Sequence, residues 1–248
     1  ILNGVDYSVW NPESDTFIAQ HYSAQNLEGK KVCKKDLLQY FKLPTDKPEH
    51  LERPLIGIVS RFADQKGFDL IAQVSTELLQ ENLSLVVLGT GQVEYERLFR
   101  GLAEKYPARV GLKIGYDNAL AHKIEAGADM FLMPSRYEPS GLNQLYSLRY
   151  GTVPVVRATG GLDDTIQDFD ANTNQGTGFK FNSYDGVSLL ECVRTALRVF
   201  REPKAWQQLQ KNGMAKDFSW KASAAAYVKL YEAARKSRIP TAAITSKR

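Results

Sequence analysis

Three side chains in this sequence could handle a charged sugar or nucleotide. Arg61 and Lys66 share the stretch "SRFADQKG", and Glu138 leads into Pro-Ser-Gly in "RYEPSGL". A guanidinium offers phosphate oxygens a planar fork, and a lysine offers them a movable point charge. Together such cations could neutralise a departing diphosphate without a metal. The same residues would also serve as solvated surface cations beside Asp64 and Asp69. Glu138 could accept hydrogen bonds from sugar hydroxyls, or pair with Arg136 or Arg149. Ser140 is expected to cap a helix beginning near Gly141, and the unpaired amides of such a helix start favour a phosphate.

Other chemistries fit less well. The loop around Lys66 lacks the first glycine and the following Ser/Thr of a Walker A loop. "GTGQVE" carries Glu94 where a dinucleotide-binding turn needs its third glycine. Cys33, Cys192, His21, His50 and His122 show no metal-ligand spacing, so reduced thiols and no metal site are expected. His122 is expected to be solvated or capping, and Trp10, Trp206 and Trp220 to be packing residues. The chain has 248 residues, 43% hydrophobic and 24% charged, with a net charge of +4. No concentrated basic stripe suggests a nucleic-acid partner. No apolar run approaches the ~20 residues that span a bilayer. The opening "ILNGVDYSVWNP" is loop-like, without the pattern of a signal peptide, and predicts a piece cut from a longer protein.

The elements that must position these residues follow from periodicity. Short apolar runs at 55–60, 83–89, 110–115, 130–134, 153–156 and 176–181 read as strands. Helical patterns at 68–80, 93–105, 118–126, 141–150, 185–201, 203–214 and 219–235 read as helices, with a short one after Gly160-Gly161 and an isolated one at 30–41. Alternation of strand and helix implies an α/β fold, a parallel sheet covered on both faces. Residues 1–53 are expected to form a linker and lead-in, 54–236 the compact domain, and 237–248 a loose tail. Ligands of such sheets bind beyond the carboxyl ends of the strands. That rim would gather Ser60-Arg61 and Lys66, Gly89-Thr90-Gly91, Gly115-Tyr116, the 134–138 segment and Thr159-Gly160-Gly161.

The stretches "SRFADQKG", "IGYDNALAHKIEAGADMFLMPSRYEPSGLNQLYSLRYGTVPVVRATGGLDDT", "GTGFKFNSYD" and "NGMAKDFSW" resemble bacterial glycogen synthases and plant starch synthases. The resemblance runs from the opening segment to Arg235. It implies the C-terminal, donor-binding half of a GT-B fold: a Rossmann-like sheet with helices on both faces and a last helix that crosses back to the other half. The partner N-terminal domain, with its Lys-Thr-Gly-Gly-Leu motif, is expected to be needed for activity; "ATGGL" at 158–162 only echoes that motif. The implied reaction moves glucose from ADP-glucose, or UDP-glucose, to the non-reducing end of an α-1,4-glucan with retention, and needs no metal or further cofactor. The implied place is the cytoplasm of a bacterium or archaeon, or a plant plastid. An exposed apolar face on the last helix would be compatible with an oligomer.

By the same resemblance Arg61 and Lys66 grip the diphosphate, Glu138 orients the glucose, and Tyr116 stacks on the adenine. Amides near Ser140, Gly141 and Leu142 hold phosphate, with Thr159, Gly160 and Gly161 alongside. Tyr146 stands where many related transferases carry a second glutamate, and Ser140 where many carry cysteine, so thiol reagents should inactivate this protein less readily. Two other readings remain: a non-catalytic module that binds nucleotide or glucan, and a related transferase using another sugar nucleotide.

Overall fold

A computed structural model describes residues 1–236; the tail expected at 237–248 lies outside them. The chain opens with irregular turns, then α1 (Glu28–Tyr40) and the one-turn α2 (Pro48–Glu52). The alternating part runs β1 (Leu55–Phe62), a 3-10 turn (Asp64–Lys66), α3 (Phe68–Gln80), β2 (Ser84–Gly91), α4 (Val93–Lys105), β3 (Val110–Ile114), α5 (Asn118–Gly127), β4 (Met130–Met133), α6 (Asn143–Arg149), β5 (Val153–Arg157), α7 (Gly160–Thr165) and β6 (Phe179–Phe181). It closes with α8 (Gly186–Phe200), α9 (Pro203–Met214) and α10 (Trp220–Lys236).

Among the described residues the sheet has six strands, all parallel, in the order β3-β2-β1-β4-β5-β6. Successive strand side chains point to opposite faces. Ile56 and Ile58 of β1 and Leu85 and Val87 of β2 therefore pack with Leu70, Ile71, Leu78, Phe99, Leu189 and Val193 on one side. Leu55, Val86 and Leu88 pack with Leu37, Leu38, Leu120, Ile124 and Leu148 on the other. Fully burying one such side chain contributes about 1.5–3 kcal/mol, so a charge at Val87 or Leu85 would break the layer.

The expected fold class is observed, with local differences. Residues 1–53 are not a free lead-in. Leu37 and Leu38 of α1 sit inside the core, and the Lys34 ammonium meets Asp129 at 2.6 Å, beneath the start of β4. Helix α2 was not legible, being too short for periodicity; Pro48 starts it from the first turn. Strand β6 is shorter than expected, because 176–178 instead form isolated contacts such as the Asp168–Gly178 bridge.

His122 corrects a sequence expectation. It is fully buried rather than solvated. Its Nδ1 lies 2.8 Å from Asp15 Oδ2, the Tyr150 hydroxyl donates to the same oxygen at 2.6 Å, and Trp10 stacks on the imidazole at 3.7 Å. The opening segment forms a second layer over this face of α5, which local sequence cannot announce. Trp10 and Trp206 pack as expected. Trp220 instead starts α10 half in solvent, its ring against Gly4. Tyr227, Val228, Leu230 and Tyr231 of α10 are exposed. No described helix is long and apolar enough to cross a membrane.

Candidate functional site

The sheet order reverses direction between β1 and β4. Chains leaving these neighbouring strands diverge to opposite faces and leave a crevice at their carboxyl ends. A cleft of about 630 Å³ lies there, lined among others by Arg61, Lys66, Tyr116, Glu138, Gly141 and Leu142.

Two loops build it. After β1 the chain makes its 3-10 turn and passes through Gly67 at φ 74°, a left-handed conformation that glycine adopts without strain. A side chain at Gly67 would collide with the Pro134 carbonyl oxygen. That close approach, and the Arg136 amide donating to Gln65 O at 2.8 Å, stitch the β1 loop to the β4 loop. Lys66 Nζ thereby reaches Glu138 Oε2 at 2.5 Å, and Ser135 Oγ lies 3.4 Å from the same oxygen. The carboxylate is nearly buried and the ammonium partly so, with side-chain exposures of 9% and 22%.

The neighbouring acids do not neutralise the cations. The Tyr95 hydroxyl and Gln92 amide engage Asp64 and hold its carboxyl below the usual range. Tyr184 and Arg136 engage Asp69. Among the described residues Arg61 forms no ion pair, so the cleft carries one unpaired cation and one paired with the acid opposite. Tyr116 stands almost wholly in solvent at the rim, after Gly115. It is held by α5, whose N-terminus Asp117 caps by accepting from Leu120 N at 2.9 Å.

The remaining expected residues gather about the 138–142 loop and the start of α7. Helix α6 begins at Asn143 rather than near Gly141, because Gly141 has φ 69° and cannot continue helical geometry. Ser140 does not cap it. The Ser140 hydroxyl accepts from Asn3 Nδ2 at 2.8 Å, and its carbonyl accepts from Gln144 Nε2 at 2.9 Å. The Gly161 amide donates to Glu138 O at 2.9 Å, and Gly160 and Gly161 press their backbones on the 138–140 loop so closely that side chains would collide. Thr159 is the residue flanking α7 at its start. Ser140, Gly160 and Gly161 thus form and back the 138–140 loop, with Thr159 just before α7.

Sequence reasoning missed three supports. Asn143 lines the cleft, and its Nδ2 donates to Val59 O at 2.7 Å, tying α6 to β1. Arg157 ends β5 and donates to Arg136 O at 2.6 Å and Asn182 O at 3.2 Å, with its guanidinium over the Tyr184 ring. Its position at a strand's carboxyl end was a usable signal. Asn3 had none. Among the described residues no His, Cys, Asp and Glu cluster could hold a metal ion, and Cys33 and Cys192 are buried free thiols.

Residues 41–213 match the family model of the group 1 glycosyl transferases. The chain belongs to that family. Among its relatives, a glycogen synthase of Koribacter versatilis is 60% identical over 240 residues, covering 97% of this chain and 49% of the relative. One from Anaeromyxobacter sp. is 51% identical over 231 residues, covering 93% of this chain and 48% of the relative. The solved catalytic domain of starch synthase IV from Arabidopsis thaliana, bound to ADP and acarbose, superposes with a TM-score of 0.86 at 34% identity, covering 95% of this chain and 49% of that one. The chain spans about half the length of the curated relatives it matches. The resemblance drawn from the motifs and the Rossmann-like half of a GT-B fold both stand in this member of the group 1 glycosyl transferase family.

Proposed function

We propose that this chain is the donor-binding half of a retaining glucosyltransferase that moves glucose from ADP-glucose to the non-reducing end of an α-1,4-glucan. The observation that carries the reading is the convergence of Arg61, Lys66 and Glu138 on one cleft at the sheet's switch point. The similarity to a starch synthase solved with ADP supports it.

The arrangement suits that chemistry. As the bond from glucose C1 to the diphosphate breaks, negative charge gathers on the leaving phosphate. Arg61 and Lys66, already placed by the sheet, stabilise that charge without reorganising. Glu138 accepts hydrogen bonds from the glucose hydroxyls and sits near the positive charge developing on the sugar ring. The acceptor hydroxyl attacks C1 on the face the phosphate leaves, and its proton passes to a phosphate oxygen. No metal is needed. Tyr116 offers its exposed ring to the adenine. The glucan and a second domain close the cleft from the opposite side, and the reaction takes place in the cytoplasm.

Calorimetric titration of the chain with ADP, ADP-glucose and UDP-glucose tests this. ADP ligands should bind, and Arg61→Ala should weaken them. In the full-length enzyme Lys66→Ala and Glu138→Ala should each cut turnover by orders of magnitude. Turnover like that of the unaltered enzyme would remove that residue from the mechanism, and absence of nucleotide binding would remove the reading.

A further inference from the structure

The Lys66–Glu138 pair joins groups to which the reading above gives separate duties. Lys66 is to meet a diphosphate and Glu138 a sugar. The two hold each other at 2.5 Å, largely out of solvent, while among the described residues Arg61 has no such partner. An ion pair in this setting is stronger than one in water, because fewer solvent dipoles screen it. It also fixes the two loops that form the cleft walls, since one partner lies on each.

Resting on that reading, we propose that the Lys66–Glu138 pair is an internal competitor that separates the intact donor from its diphosphate product. A diphosphate arriving alone must draw Lys66 from Glu138 and leave a carboxylate only 9% exposed without its ammonium. Its remaining neighbour is then the Ser135 hydroxyl, at 3.4 Å. An acceptor-only group left so placed is costly. A diphosphate that carries a sugar does not impose this cost, because sugar hydroxyls donate to Glu138 as the phosphate takes over Lys66. After transfer the sugar has gone, Glu138 regains its claim on Lys66, and the product is expelled. The pair thus favours substrate entry and product departure with the same two side chains.

Calorimetry on the full 248-residue chain tests this with inorganic pyrophosphate, the simplest diphosphate, and with ADP. Glu138→Gln keeps the shape and removes the competing charge. It should bind pyrophosphate roughly three- to thirtyfold tighter than the unaltered chain, the range between an exposed and a buried charge pair. In a Lys66→Ala background the same Glu138→Gln change should give no gain, because the competition runs through Lys66. ADP should follow pyrophosphate. Unchanged or weaker pyrophosphate binding by Glu138→Gln overturns the proposal. So does a gain that persists without Lys66, which would show general repulsion instead. If Glu138→Gln does not fold, Glu138→Ala is read by the same criteria. A chain that binds ADP with no difference at Glu138→Gln loses the competitor and keeps its assignment. A chain that shows the exchange with pyrophosphate but binds no nucleotide keeps the competitor and loses the nucleotide-sugar reading.

Discussion

Asn3 and Ser140 meet across the molecule: the Asn3 side-chain amide donates to the Ser140 hydroxyl at 2.8 Å, although 137 positions separate them. Asn3 lies in the opening segment, which runs beside the start of α10. Val5 N donates to Phe218 O at 2.7 Å, and Ser223 Oγ donates to Leu2 O at 2.7 Å. The loop that carries Glu138 is therefore tied to the place where the two ends of the described chain come together. Asn3→Ala should remove this tie at a cost of about 0.5–1.5 kcal/mol, the net worth of one hydrogen bond. Amide hydrogen exchange at 138–141 should quicken while the strands of the sheet keep their protection. Unchanged exchange in that loop would show that the bond carries no load.

Gly161 is required by contact rather than by dihedral angle. Its Cβ would strike the Ser140 carbonyl oxygen, and its amide serves Glu138 O. Backbone offers no flexible side chain to yield. Gly161→Ala should destabilise by about 1–3 kcal/mol, as overpacking does. It should also weaken pyrophosphate binding, because the 138–140 loop must shift. A thermal melt and a titration on one sample check both, and an unchanged melting temperature would contradict the geometry.

Arg157 holds the same loop from the other flank. Its three hydrogen bonds, to Arg136 O, Ser135 O and Asn182 O, are made by a charged donor, and each such bond is worth roughly 1.5–3 kcal/mol at most. Partial exposure reduces this, so Arg157→Ala should cost about 1–2 kcal/mol. Arg157→Lys should recover little, because an ammonium cannot span two carbonyls set for a planar fork. Denaturant unfolding of both variants distinguishes the fork from simple charge, since equal stability of Arg157→Lys and the unaltered chain would show that charge suffices.

The buried face beneath the opening segment predicts a pH dependence. Burial pushes the Glu125 carboxyl up to about 8, against the opposing hydrogen bond from Ser147 and the nearby Lys30 charge. Its folded value lies above its unfolded one. Its contribution to stability is therefore complete below pH ~4.5 and is lost as pH rises through about 8. Burial pulls the Lys30 ammonium down to about 8, so Lys30 is protonated in both states across most of that window and adds little slope. The melting temperature should fall by at least about 5 °C between pH 5 and pH 8. Glu125→Gln should flatten that fall, because the amide keeps a partner for Ser147 and does not titrate. A fall of the same size in the variant would assign it to other groups.

Local patterns along the chain suffice for the elements and their layering. The apolar residues of α3 and α8 recur at helical spacing, and the β-branched runs of β1 and β2 are too short for helices. Such patterns are local, because a residue's own neighbours within one turn or two positions decide which face is buried. The rim that gathers the candidate residues was legible for the same reason. Arg61 lies in the end of β1, and Lys66, Tyr116 and Glu138 lie in the loops that follow β1, β3 and β4, whose ends a parallel sheet presents on one rim. Who meets whom is settled by packing between distant segments. Strand alternation does not state that β1 lies next to β4, yet that adjacency makes the cleft. Lys66 and Glu138 are 72 positions apart, and their pairing follows from Gly67 touching Pro134 rather than from either side chain. His122 and Ser140 looked like a surface histidine and a helix cap; the opening segment claims both, through Asp15, Trp10 and Asn3. Contacts between surfaces distant in sequence are set by which layers fit together, and no residue's immediate neighbours carry that information.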